Sequence, residues 1–169
     1  MAPDDAAIDA FATEARRFVD WVNDETNSWA PKDALKRLVD LYRSALVLPE
    51  GYTPELPDED HGLRISDDEC RRVAEHASQL PLDFYGEVFD STVLPPEAPV
   101  IGHLQDDFSD IYRDVATGLR LFDLGRRAEA RWEWSFNFSI HWGEHATSAI
   151  RALHGYLSQS GFKDERRET

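Results

Sequence analysis

Two kinds of side chain in this sequence are spaced for shared chemistry. Asp106, Asp107, Asp110 and Asp114 fall close together, and His141 and His145 stand four positions apart further on. On a helix, at about 100° per residue, Asp107, Asp110 and Asp114 share one flank while Asp106 points to solvent. Histidines at i and i+4 also share a face. Two imidazoles one turn apart can hold one metal ion, and carboxylates supply hard ligands to it. The candidate polar cluster is therefore Asp107, Asp110, Asp114, His141 and His145, and within it the candidate metal ligands are Asp107, Asp110, His141 and His145. A divalent metal is the cofactor that such a set would take.

The same groups can instead satisfy one another as a buried hydrogen-bonded network, with Arg113, Arg120 and Arg131 near enough in sequence to join. Histidine with carboxylate also suits general acid–base work, but no nucleophile or substrate motif accompanies them. Neither Glu-x-x-His nor His-Glu-x-x-His occurs, so di-iron carboxylate and zincin sites lose support. Trp132, Trp134 and Trp142 border the histidines. They are candidates for lining a small-ligand pocket, and core packing is their competing use.

Two helices must position these groups. From about Gly102 to Leu124, Leu104, Phe108, Ile111, Val115, Leu119 and Phe122 make one apolar stripe, and Gly125 stops the helix. A second, long helix runs from about Arg126 to Leu157, with Gly143 as a weak point. Its one face carries Trp134, Phe138, Ala149, Ala152 and Tyr156, with His141 and His145; the opposite face carries Trp132, Phe136, Ile140, Ile150 and Leu157. A helix apolar on more than one side is expected to be central and nearly surrounded. Folding the pair antiparallel about Gly125 sets Asp110 opposite roughly position 140 and Asp107 opposite roughly 143, level with the two histidines.

Upstream, Ile8, Phe11, Ala15, Phe18, Val19 and Val22 recur at helical spacing, and Trp21 lies off that stripe, able to reach a neighbouring helix. Pro31 suits the first turn of a second helix whose apolar side is Leu35, Leu38, Val39, Tyr42, Ala45 and Leu46. Residues 50–65 are a loop by composition, and His61 within it is expected to be solvated. Ser66 and Glu69 form a Ser-x-x-Glu capping box for a third helix, with Ile65 placed to staple against Cys70. Asp67, Asp68 and Glu69 disfavour a thiolate at Cys70, which excludes a cysteine mechanism. Residues 81–100, with Phe84, Tyr85, Val88 and Phe89 inward, are expected as an ordered crossover, too short and broken for a sheet. The fold expected is all-α: a single helical bundle of about five helices with a long central C-terminal helix, spanning 1–169 with 1–4 and 159–169 as flexible ends.

The 169-residue length suits one domain that needs no staples. A single cysteine, no apolar run of about 20 residues and a start without a basic or apolar leader region lead to an expected cytoplasmic protein with no membrane contact. The net charge is −15, and residues 50–110 alone hold 3 basic and 16 acidic side chains. That stretch would repel nucleic-acid phosphates and would suit a basic protein partner.

The motifs Asp-Asp-Phe-Ser-Asp-Ile-Tyr-Arg-Asp (106–114), Gly118-Leu119, Glu-Ala-Arg-Trp-Glu-Trp-Ser-Phe-Asn-Phe (129–138), His-Trp-Gly-Glu-His-Ala (141–146) and Ala-Ile-Arg-Ala-Leu-His (149–154) carry a resemblance. With Leu41-Tyr42, Leu48-Pro49 and Val88-Phe89-Asp90, the chain resembles the bacterial domain-of-unknown-function family 5063, although Ser91 stands where that family's proline is expected. The resemblance implies a small helical cytoplasmic protein without an established activity or catalytic assignments. The leading functional expectation is a non-enzymatic protein-interaction or regulatory domain. The alternative is a metal-binding protein or metal-dependent hydrolase built on the Asp/His cluster.

Overall fold

A computed structural model describes residues 3–49, 63–88 and 90–165. Among them are six helices and one two-stranded sheet: α1 Pro3–Asn23, α2 Pro31–Ala45, α3 Asp67–Ala77, β1 Phe84–Glu87, β2 Val100–His103, α4 Leu104–Asp123, α5 Arg127–Ile140 and α6 Trp142–Glu165. The acidic loop with His61, up to residue 62, and Phe89 lie outside the described residues. No helix among the described residues is long and apolar enough to cross a membrane.

Local signals set the helix ends. Pro31 opens α2, where its missing N–H is no loss because the first helical donors have no intrahelical partner. Ser66 accepts from the Glu69 amide, while the Glu69 carboxylate accepts from the Ser66 amide at 3.0 Å, so the capping box is complete. α4 ends in a Schellman motif: Gly125 takes φ +77°, its amide donates to Phe122, and the Arg126 amide donates to Leu121. Leu124 ahead of it is capped by a bond to Arg120.

α1 buries Ile8, Phe11, Ala15, Phe18 and Val22, each large member contributing roughly 1.5–3 kcal/mol of transfer free energy. Trp21 reaches Trp29 at 4.3 Å and Phe108 at 6.1 Å between ring centroids, joining α1 to α4. On α2 the buried stripe is Ala34, Leu38, Leu41 and Ala45, rotated from the expected one; Val39 and Leu46 face outward. α6 covers the other side of α2 and runs to Glu165, into the stretch expected as a tail.

The expected long helix over 126–157 is two helices, and it is not the central one. The chain breaks at His141, whose φ −148° and ψ −85° are not helical. Gly143 is the physical reason: a Cβ there would fall 2.1 Å from the Phe138 carbonyl oxygen, so only glycine lets the first turn of α6 tuck under the end of α5. Phe136 and Ile140, expected inside, are exposed on α5, which buries only Ala130 and Trp134. The central helix is α4, packed against α1, α3, α5 and α6. Beyond its apolar stripe it carries small residues, and these admit neighbours closely: Ser109 donates to the Cys70 carbonyl of α3, and the Trp134 indole lies over Gly118.

The crossover contains a sheet after all. β1 and β2 pair antiparallel in the register Phe84↔His103, Tyr85↔Gly102, Gly86↔Ile101 and Glu87↔Val100. Each strand is only four residues long, which is why neither stands out from sequence. Phe84, expected inward, is exposed and stacks on the cross-strand His103 ring at 4.6 Å, while Tyr85 turns toward the bundle. The Leu104 amide donates to Asp83, which seats the strand pair on the start of α4.

Candidate metal centre

The flank of α4 bearing Asp107, Asp110 and Asp114 faces the broken joint between α5 and α6. Each imidazole is clamped from behind by a carboxylate: His141 Nδ1 donates to Asp114 Oδ2 at 2.7 Å, and His145 Nδ1 donates to Asp107 Oδ1 at 2.9 Å. With the proton on Nδ1, Nε2 of each neutral ring keeps its lone pair for an electrophile. Asp107 and Asp114 are 4% and 8% exposed, but the His141 and His145 side chains are 39% and 31% exposed. The carboxylates are interior supports and the rings reach water. The rings stand edge to face at 77°, with centroids 4.9 Å apart.

Asp110 completes the group from one turn along α4. Its Oδ2 lies 3.6 Å from His145 Nε2, too long for a hydrogen bond, while its Oδ1 accepts from Arg113 at 2.6 Å. One donor atom from each of Asp110, His141 and His145 lies within 4.8 Å of the other two. Two ligands on one tetrahedral ion with bonds of about 2.1 Å stand about 3.4 Å apart. Asp110 and His145 are thus already near ligand spacing, and a pair at the outer limit closes by about 1.4 Å, within the reach of a side-chain rotation.

Asp107 was expected as a ligand, yet both of its oxygens are engaged behind His145. Oδ2 accepts from the Tyr85 hydroxyl at 2.6 Å. Tyr85 reaches it from β1 by lying across Gly102 of β2, where a Cβ would fall 2.4 Å from the ring. Gly102, Tyr85, Asp107 and His145 therefore form one line of support, the carboxylate–histidine arrangement that orients metal ligands. Beside this line Ser148 of α6 donates to Glu87 of β1. Sequence reading missed Tyr85; the only available signal was a glycine in each of two short stretches, Phe-Tyr-Gly-Glu and Val-Ile-Gly-His.

The electrostatics follow from this geometry. The hydrogen bond to Asp107 raises the His145 pKa, opposed by burial and helped further by the negative charge of Asp107, Asp110 and Asp114. Burial raises Asp114, and the bond from His141 only partly offsets it. Burial also raises the Tyr85 phenol, with the bond to Asp107 acting in the same direction, so Tyr85 stays a donor.

The remaining candidates fall elsewhere. Asp106 is exposed and pairs with His103 at 3.0 Å, while Arg120 turns away to Glu69 at 2.5 Å. Trp134 and Trp142 are fully buried, with their N–H groups donated to the Val115 and Trp134 carbonyls, so they serve as core posts. Trp132 stacks on Phe136 at 4.9 Å and lines a cleft of about 420 Å³ with Arg113, Asp114, Glu133 and Asn137. Neither histidine opens into that cleft. Burial pushes the Cys70 thiol up, away from thiolate chemistry.

Comparison with known proteins agrees with this picture of the fold. No curated protein matches the chain. The crystal structure of protein BF1032 from Bacteroides fragilis, a structural-genomics target, superposes with a TM-score of 0.67 at 22% identity, covering 88% of this chain and 90% of that one. At that identity the likeness speaks to fold alone. The family described as Domain of unknown function (DUF5063) matches residues 4–159, nearly the whole chain and both halves of the Asp/His group. The protein is a helical member of the domain-of-unknown-function family 5063.

Proposed function

We propose that this protein binds one divalent transition-metal ion through Asp110, His141 and His145. The observation that carries this reading is the pair of buried carboxylates behind two solvent-reaching imidazoles. Asp107 and Asp114 hold the Nδ1 protons, which leaves His145 Nε2 3.6 Å from Asp110 Oδ2, with a ring nitrogen of His141 within 4.8 Å of the ligand atoms of both. The two imidazole side chains are 39% and 31% exposed, so an ion from solvent can reach the rings that the buried carboxylates hold. Two histidines and one carboxylate suit zinc or iron(II), and a three-ligand set leaves coordination positions for water or a substrate. Formal charge supports a divalent ion: three aspartates and Arg113 leave a deficit of two positive charges, which the metal fills when both imidazoles are neutral.

The test is metal content by mass spectrometry, followed by calorimetric titration of the stripped protein with zinc, iron(II) and manganese(II). One equivalent should bind to the wild type and be lost in a folded His141→Ala/His145→Ala variant. Asp106→Asn, which changes an exposed carboxylate outside the group, should bind as the wild type does. No saturable uptake of any of the three metals would sink the proposal.

A second reading rests on the exposed carboxylates Asp67, Asp68, Glu75, Asp83, Asp90 and Glu97, which suit docking of a basic protein partner. For the compartment, we infer a cytoplasmic protein, supported by the single buried Cys70 and the want of a second cysteine to oxidise with.

A further inference from the structure

The face formed jointly by α2 and α6, remote in character from the Asp/His group, carries an open groove of about 530 Å³. Its walls are two helical stripes of the same form. α2 contributes Val39, Tyr42, Arg43 and Leu46, and α6 contributes Thr147, Ile150, Arg151 and His154. Both follow the i, i+3, i+4, i+7 spacing, with an arginine at the i+4 place of each. Val39 and Leu46 are 43% and 61% exposed, so the α2 stripe presents apolar surface that the described elements leave open.

The charges on this groove are of one sign. In a chain of net charge −15 no carboxylate among the described residues lines it, and Arg43 and Arg151 are exposed and make no ion pair among those residues. A groove walled by two helices with helical-period anchors fits a third helix, whose apolar residues descend between them. Cations flanking an apolar floor select carboxylates flanking an apolar stripe.

We propose that the α2–α6 groove docks an acidic amphipathic helix of a partner protein, with apolar anchors at i, i+3 or i+4, and i+7. Its flanking Glu or Asp side chains pair with Arg43 and Arg151. The floor supplies burial, and the two arginines supply the choice of charge. This surface is independent of the metal reading and prefers the charge opposite to that expected for the acidic middle of the chain.

The test uses two synthetic helical peptides with identical leucine anchors, one flanked by glutamate and one by lysine, titrated into the full ¹⁵N-labelled chain and followed by NMR. The glutamate peptide should shift the amides of Val39, Leu46 and Ile150 and bind about tenfold more tightly than the lysine peptide. Arg43→Glu/Arg151→Glu, an exposed pair whose folding is checked by its melting curve, should reverse that preference. Leu46→Asp should abolish binding of both peptides. Equal binding of the two peptides, shifts on another face, or no shifts at millimolar peptide would overturn the proposal. A concentration-dependent dimer that the Arg43→Glu/Arg151→Glu variant dissolves would also overturn it, by making a second copy of this chain the occupant.

Discussion

The centre turns on which nitrogen of each histidine is held and which is presented. Nδ1 of His141 and His145 is held by Asp114 and Asp107. Asp107 is thus a positioning residue, and Asp107→Asn should weaken metal binding by about 10- to 100-fold while leaving one equivalent per chain, as read by calorimetry. Tyr85→Phe removes one of the two bonds to the buried Asp107 carboxylate and should cost about 1.5–3 kcal/mol in urea unfolding. An unchanged unfolding midpoint would show that the phenol merely rests there.

The pH dependence has a definite sign. His145 has its folded pKa raised above the unfolded value of about 6.5, so its stabilisation is fully present below that pH and is lost as pH rises through the folded value. The metal-free protein should therefore lose melting temperature above about pH 6.5, and His145→Gln should flatten that slope. Metal affinity should rise over the same interval, because the ion takes the place of a proton.

Three glycines let elements approach as they do. Gly143 allows the break that turns His141 out of regular helix, and its Cβ would meet backbone, which cannot rotate away. Gly143→Ala should straighten or unseat the joint, lowering stability by about 1–3 kcal/mol and metal affinity with it. A fully functional, equally stable Gly143→Ala protein would refute this account of the joint. Gly118 admits the Trp134 indole, with a Cβ position only 2.2 Å from Nε1, and Gly102 does the same for Tyr85. At the start of α3, Ser66→Ala removes an acceptor for the Glu69 amide and should cost about 1 kcal/mol by thermal or urea melting. Glu69 also holds Arg120, so its own replacement would disturb two elements at once.

At the scale of the whole molecule, charge is the dominant feature. A protein of net charge −15 repels itself in the compact state, and salt screens that repulsion. Association with a basic partner through the exposed Asp67, Asp68, Glu75 and Asp83 should weaken steeply between low and physiological ionic strength. A salt-insensitive affinity for a basic peptide would count against that second reading. Docking on the α2–α6 groove should be less sensitive, since its floor is apolar and only two arginines flank it.

Sequence by itself determined what depends on neighbours along the chain. The capping box at Ser66, Pro31 at the start of α2, Gly125 at the end of α4 and the apolar stripes of α1 and α4 are all local effects, and period and turn chemistry suffice for them. The antiparallel count about Gly125 also brought Asp107, Asp110, His141 and His145 to one level, because residue rise is nearly constant along a helix. Other features depend on which surfaces meet in three dimensions. Gly143 was visible as a weak point, but the break at His141 rests on a contact with Phe138 that periodicity does not contain. The burial of Trp134 and Trp142, the central place of α4 and the outward turn of Val39 and Leu46 depend on rotation about each helix axis. A small change in that rotation moves a residue from core to surface. Asp107 became a support behind His145 because Tyr85 arrives from a strand pair too short to stand out in sequence. Only tertiary structure decided that, because the bond joins residues 22 positions apart across two different elements.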